Sequence, residues 1–137
     1  MAVFQLDTKL AADTVEIDRW TLCRVLLMND ANYPWLILVP ERPGLRDFHD
    51  LAPADLAVMS AEIVRASQAL QSLFDPVKLN VAALGNQVPQ LHVHAIARQS
   101  DDAAWPKPVW GAAPAVPYNE AALDERIASL REAFARF

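Results

Sequence analysis

Alternation of apolar and other side chains over residues 90–98, Gln90-Leu91-His92-Val93-His94-Ala95-Ile96-Ala97-Arg98, predicts a β-strand. Its period of two puts Gln90, His92 and His94 on one face and Leu91, Val93 and Ala95 on the other. Apolar runs at residues 20–28 and 35–39 predict two core strands, joined by the turn-prone Asn29-Asp30-Ala31-Asn32-Tyr33-Pro34. Glu41-Arg42-Pro43-Gly44 closes the second. From 53 to 74 the period changes: Leu56, Met59, Ile63, Ala66, Leu70 and Leu73 step by three or four and predict one helix face, with Glu62, Arg65, Gln68 and Gln71 mostly outside it. Pro53 suits the first turn of that helix, Asp55 complements its positive end, and Asp75-Pro76 stops it.

Residues 78–84 return as a strand, Gly85 marks the turn into the histidine strand, and 78–98 therefore reads as a hairpin. Residues 99–117 show no period and read as an ordered tail over the surface. Asn119 then caps a last helix carrying Leu123, Ile127, Leu130 and Phe134 on one side. This order of elements predicts an α+β fold: an antiparallel β-sheet with one long central helix and a C-terminal helix.

A chain of 137 residues supports one domain with a proper core, and 53% apolar residues suit a compact fold with room for an apolar interface. A net charge of −5, with lysine only at Lys9, Lys78 and Lys107, speaks against a nucleic-acid surface, which needs clustered cations. It does not exclude a small phosphate ligand held by backbone N–H groups and imidazoles. Cys23 is the single cysteine, so no internal disulfide forms, and its apolar setting predicts a buried inert thiol. The N-terminus lacks a basic start and a signal-type apolar core, and no apolar run approaches the roughly 20 residues that cross a bilayer. These features predict a cytoplasmic protein without membrane contact.

Two of the chain's three histidines, His92 and His94, share one strand face. Such a pair can be structural, can ligate a metal, or can supply a nucleophile and a proton carrier. A metal site needs three or four ligands, and beyond this pair the chain offers His49 and carboxylates in no ligand spacing. His49 itself sits in the polar Arg46-Asp47-Phe48-His49-Asp50 and reads as a solvated residue. Gly85-Asn86-Gln87 is too poor in glycine for a phosphate loop alone, but beside two imidazoles its N–H groups can form an anion nest.

The run from Gly85 to Arg98 resembles the signature of the histidine-triad (HIT) nucleotide hydrolases and transferases, in which three histidines alternate with apolar residues after a short turn ending in valine. Trp35-Leu36-Ile37-Leu38-Val39-Pro40 resembles the family's upstream core strand, and Trp105-Pro106 its tryptophan-containing tail. The likeness spans roughly residues 14–111, with Gln90 in place of the first histidine and Gln87 in place of a serine or threonine. The resemblance implies a HIT-like domain over residues 1–111, with 112–137 as a C-terminal tail and helix on the same domain.

It further implies that His92 is the nucleophile and that His94 contacts the phosphate and leaving group. Gln90, Asn86, Gln87, Val88, Asn29 (or its neighbour Asp30) and Trp105 are implied as substrate contacts. The implied substrate is a nucleoside phosphoramidate, an adenylate or a dinucleotide polyphosphate, turned over through a covalent nucleotidyl-histidine. No metal or cofactor is implied, and a homodimer is. The rival readings are a catalytically weak nucleotide-binding or interaction protein on the same fold, and a metal-binding protein using His92 and His94.

Overall fold

The computed structural model describes residues 2–137, and in it the apolar runs pair into one five-stranded sheet. The strands are β1 (Thr14–Arg19), β2 (Cys23–Met28), β3 (Trp35–Pro40), β4 (Lys78–Ala82) and β5 (Val93–Arg98). They lie in the order β1-β2-β3-β5-β4, each neighbouring pair antiparallel. Helix α1 (Thr8–Asp13) precedes the sheet, α2 (Pro53–Phe74) links β3 to β4, and α3 (Glu120–Phe134) follows β5. The α+β architecture predicted from the hydrophobic pattern is the one observed. No helix among the described residues is long and apolar enough to cross a membrane.

Every residue of β3 and of β5 is buried, because both faces of the sheet are covered. One face carries Val25, Leu27, Leu36, Leu38, Val93 and Ala95 against Met59, Ala66 and Leu70 of α2. Leu130, Ala133 and Phe134 of α3 complete that core, and Arg131 Nε donates to the Ile17 carbonyl of β1 at 2.6 Å. The opposite face carries Leu26, Ile37, Val39 and Ile96 under Leu10 of α1 and the loop residues Val88, Ala104 and Val109. Alternation along β5 turns His92 and His94 toward this second face, where loops rather than a long helix form the cover.

Helix α2 occupies the predicted residues, starting with Pro53 in its first turn and ending at Asp75 in the left-handed conformation (φ 42°). Its buried stripe is rotated from the predicted one. Leu56 is exposed at its edge, and Glu62 is buried at the centre. The Glu62 carboxylate is satisfied there: it accepts from the backbone N–H of Leu22 at 3.1 Å and of Cys23 at 2.9 Å, closing the turn between β1 and β2. Burial, with Glu62 adding to it, pushes the Cys23 thiol far up from its ordinary value, which keeps it protonated and unreactive.

Three element boundaries differ from expectation. The run 20–28 begins as a tight turn, with Trp20 N–H bonded to the Cys23 carbonyl at 2.8 Å, and only Cys23–Met28 is strand. Strand β4 ends at Ala82, which pairs with His94, so a long loop instead of a short turn joins it to β5. Residues 90–92 lie outside the ladder, because the Leu91 N–H is spent on the Leu45 carbonyl and the Gln90 carbonyl on the His92 ring.

Candidate active site

His92 and His94 sit side by side on the loop-covered face, their ring centroids 4.9 Å apart and both side chains buried. At His92 the Nδ1 atom lies 2.7 Å from the Gln90 carbonyl oxygen. A carbonyl can only accept, so Nδ1 carries the proton and the lone pair is left on Nε2. Local backbone geometry therefore selects the tautomer a nucleophile requires.

His94 is held differently. The indole N–H of Trp35 donates to its Nδ1 at 2.9 Å, which places the ring proton on Nε2, and Nε2 donates to the Leu84 carbonyl at 3.1 Å. Both nitrogens are thus engaged by the protein, and Trp35 and Trp110 pack about the ring with centroids at 5.7 and 5.0 Å. Neither ring nitrogen offers a free donor or lone pair while these two bonds stand. Burial, then repulsion from His92, lowers the His94 pKa to about 4, against the pull of the Leu84 carbonyl.

That depression carries a sign. The unfolded imidazole takes up a proton near its ordinary value of 6.5, whereas the folded one stays neutral to about 4. Acid therefore favours the unfolded chain, and stability from this group is complete above pH 6.5 and lost as pH falls through that window to about 4. The expected loss is on the order of 3 kcal/mol. Denaturant unfolding of wild type and His94→Gln at pH 7, 5.5 and 4 measures it. The variant should show the flatter profile, and equal slopes would mean that His94 does not resist protonation.

The histidines open onto a cavity of about 660 Å³, within the range of small-molecule sites. Trp35, Ile37 and Met28 form its sheet floor, while Lys9, Leu10 and Asp13 of α1 stand on one side and Val109 and Trp110 on another. Asn86, Gln87 and Val88 also line it, and their backbone N–H groups make no hydrogen bond with the described residues. Gly85 permits the approach of this loop: a Cβ there would lie 2.7 Å from the Val88 carbonyl oxygen and 3.4 Å from Cε1 of His92. An alanine at 85 has no room without shifting the loop or the imidazole.

Asn29 and Asp30 reach the rim, where they also anchor the chain ahead of α3. Asn29 Oδ1 accepts from the Tyr118 N–H at 2.9 Å, and Asp30 Oδ1 from those of Asn32 and Val116 at 3.0 and 3.2 Å. Two implied contacts fall elsewhere. Gln90 borders a smaller cavity of about 350 Å³, which shares Gly85, Asn86 and His92 with the large one and adds Arg46 and Asp47. Trp105 does not line the large cavity; its ring stands over the guanidinium of Arg98 at 5.5 Å, and of the two tryptophans in the segment after β5 it is Trp110 that lines the site. His49 is exposed, and among the described residues no three histidine, cysteine or acidic side chains are grouped to hold a metal.

Sequence reasoning missed α1 entirely, and with it Lys9, Leu10 and Asp13. The signal was Asp7 ahead of Lys9-Leu10, an N-cap whose Oδ1 accepts from both their N–H groups, at 2.8 and 3.3 Å.

A paired histidine motif with fixed tautomers, lining a cavity of about 660 Å³ on this sheet, points to a class of proteins. The model of the HIT domain matches residues 10–101, and the chain belongs to the histidine-triad family. It is similar over nearly its whole length to a histidine triad protein from Bradyrhizobium japonicum, with 44% identity, 97% of this chain and 99% of that one covered, and a TM-score of 0.95. One from Marinobacter aquaeolei also shares 44% identity over 98% of each chain (TM-score 0.95). A third, from Sinorhizobium meliloti, shares 41% over 95% and 96% (TM-score 0.93). No match to a curated protein accompanies these similarities.

Proposed function

We propose that this protein is a nucleotide-binding phosphohydrolase or nucleotidyl transferase acting at the α-phosphate of a nucleoside phosphoramidate, an adenylate-type mixed anhydride or a dinucleotide polyphosphate. The observation that carries the reading is the 2.7 Å bond from His92 Nδ1 to the Gln90 carbonyl, which leaves Nε2 as a free lone pair beside the cavity. Nε2 attacks the α-phosphorus, a P–N bond forms, and the bond to the leaving group breaks with its electron pair going to that group, an amine leaving group taking up a proton from water. Water then attacks the nucleotidyl-imidazole and releases its proton to solvent, the P–N bond breaks with its electron pair returning to Nε2, the nucleoside monophosphate departs and His92 is restored.

The unengaged N–H groups of residues 86–88 are suited to the non-bridging phosphate oxygens, where donors fixed in advance stabilise developing charge. The apolar floor and Trp110 suit a base, and Asn29 or Asp30 at the rim suits a ribose. His94 takes a revised part. As a neutral ring with both nitrogens engaged it packs against His92 and adds no positive charge that would oppose the cationic nucleotidyl-imidazole. It does not itself touch the phosphate.

The test is turnover of an adenosine 5′-phosphoramidate panel before and after exhaustive chelation, with acid-quenched samples weighed intact for a nucleotidyl adduct and mapped to the peptide holding His92. Turnover that survives chelation, with the adduct on that peptide, is the expected result. AMP binding without turnover or adduct would favour the weak nucleotide-binding protein. Turnover lost with a stoichiometric metal would favour the metal reading.

A further inference from the structure

Where the motif of the family has its first histidine, Gln90 reaches away from the large cavity to the N-terminal segment. Its Oε1 accepts from the Asp7 N–H at 2.9 Å, and its Nε2 donates to the Gln5 carbonyl at 2.9 Å. A carboxamide places one donor and one acceptor side by side in a plane, which matches a backbone carbonyl and an N–H two residues apart on an extended segment. An imidazole also has one of each, but on diverging edges of the ring, and cannot meet both groups at once.

What hangs on this grip is α1. The helix has six residues, too few to be stable by itself. It is held by the Asp7 cap, by the buried Leu10 and, one step back, by Gln90. The same helix gives Lys9, Leu10, Ala12 and Asp13 to the wall of the large cavity. Meanwhile the Gln90 backbone carbonyl fixes the His92 tautomer, a bond that any residue at position 90 would keep.

We infer that Gln90 is a positioning residue whose side chain latches the N-terminal segment and so shapes the cavity wall formed by α1. Its side chain governs nucleotide affinity and its main chain serves the nucleophile. The affinity half of this inference rests on the proposed nucleotide site; the latch itself does not.

The experiment compares full-length wild type with Gln90→Leu, Gln90→Asn and Gln90→His, the asparagine variant serving if leucine at this half-exposed position impairs folding. Amide hydrogen exchange at Lys9, Leu10 and Ala11 reports the latch, titration with AMP reports affinity, and saturating turnover reports chemistry. Leucine and asparagine should speed exchange in α1 by about tenfold or more while exchange in β3 stays unchanged. AMP binding should weaken by roughly threefold to tenfold, with a smaller effect on saturating turnover, and histidine should fall between these variants and wild type. Unchanged exchange in α1 overturns the latch. Faster exchange with unaltered AMP affinity overturns its role in the site, as does a fall in saturating turnover with affinity intact. If wild type itself fails to bind AMP, the proposed function falls, and the exchange rates alone decide whether Gln90 is a latch.

Discussion

Replacing His92 by alanine should remove nearly all turnover of a nucleoside phosphoramidate while leaving the fold in place. The fold should survive because the imidazole sits among loops and its loss removes one hydrogen bond to a backbone carbonyl, worth about 1 kcal/mol. The chemistry should not, because the other imidazole cannot substitute: both nitrogens of His94 are engaged, by Trp35 and by Leu84. Losing the repulsion from His92 should also let the His94 pKa rise. The decisive assay is single-turnover kinetics under saturating substrate, beside thermal unfolding of the same preparation. Retention of more than about a tenth of the wild-type rate, a barrier change under roughly 1.4 kcal/mol, would remove His92 from the role of nucleophile.

Much of the architecture was legible because local signals and burial agree. Helix α2 has proline at its start, Asp75-Pro76 at its end and an unbroken period between, and α3 opens on the Asn119 cap, whose Oδ1 accepts from the Ala122 N–H at 2.8 Å. Strand β1 was missed because it lies at the sheet edge with Val15 and Ile17 as its apolar residues, and its polar residues are satisfied locally, as in the Arg19–Glu16 pair. Helix α1 was missed because it owes its existence to distant partners: Gln90 holds the segment before it across 83 residues of chain. The same cause limits how much of the site could be read. His92, His94 and the turn before them are adjacent in sequence, so their chemistry shows in the motif. The Trp35 bond that commits His94 to a neutral, engaged ring spans 59 residues, and Trp35 reads from sequence as one more core residue of a strand.

Arg98 is where a change should cost most stability. It ends β5 with its side chain about 2% exposed. Its Nε and Nη2 meet the two carboxylate oxygens of Asp102 at 2.7 and 3.0 Å, Nη1 donates to Asn80 Oδ1 at 2.8 Å, and Nη2 also to the Lys107 carbonyl at 2.8 Å. Asp102 in turn accepts from the N–H groups of Gln99, Ala104 and Trp105. Burial opposes ionisation of this carboxyl, but the bonds from Arg98 and those N–H groups outweigh it and hold the pKa at about 2. The pair thereby ties residues 99–107 to the sheet, and Val109 and Trp110 of the cavity wall follow that anchor directly.

Arg98→Met fills much of the same volume but leaves the Asp102 carboxylate buried without its cation, a loss of about 3–5 kcal/mol. For a domain of this size that is a fall in Tm on the order of 10–20 °C. Adding Asp102→Asn keeps an acceptor for the N–H groups and removes the stranded charge, so the double variant should recover part of the loss. Arg98→Lys should be intermediate, since an ammonium keeps the charge without the planar fork. Calorimetry of the four proteins at pH 7 tests the account. A loss under about 1 kcal/mol for Arg98→Met, or a double variant less stable than that single one, would mean that the Arg98 pair does not hold the segment.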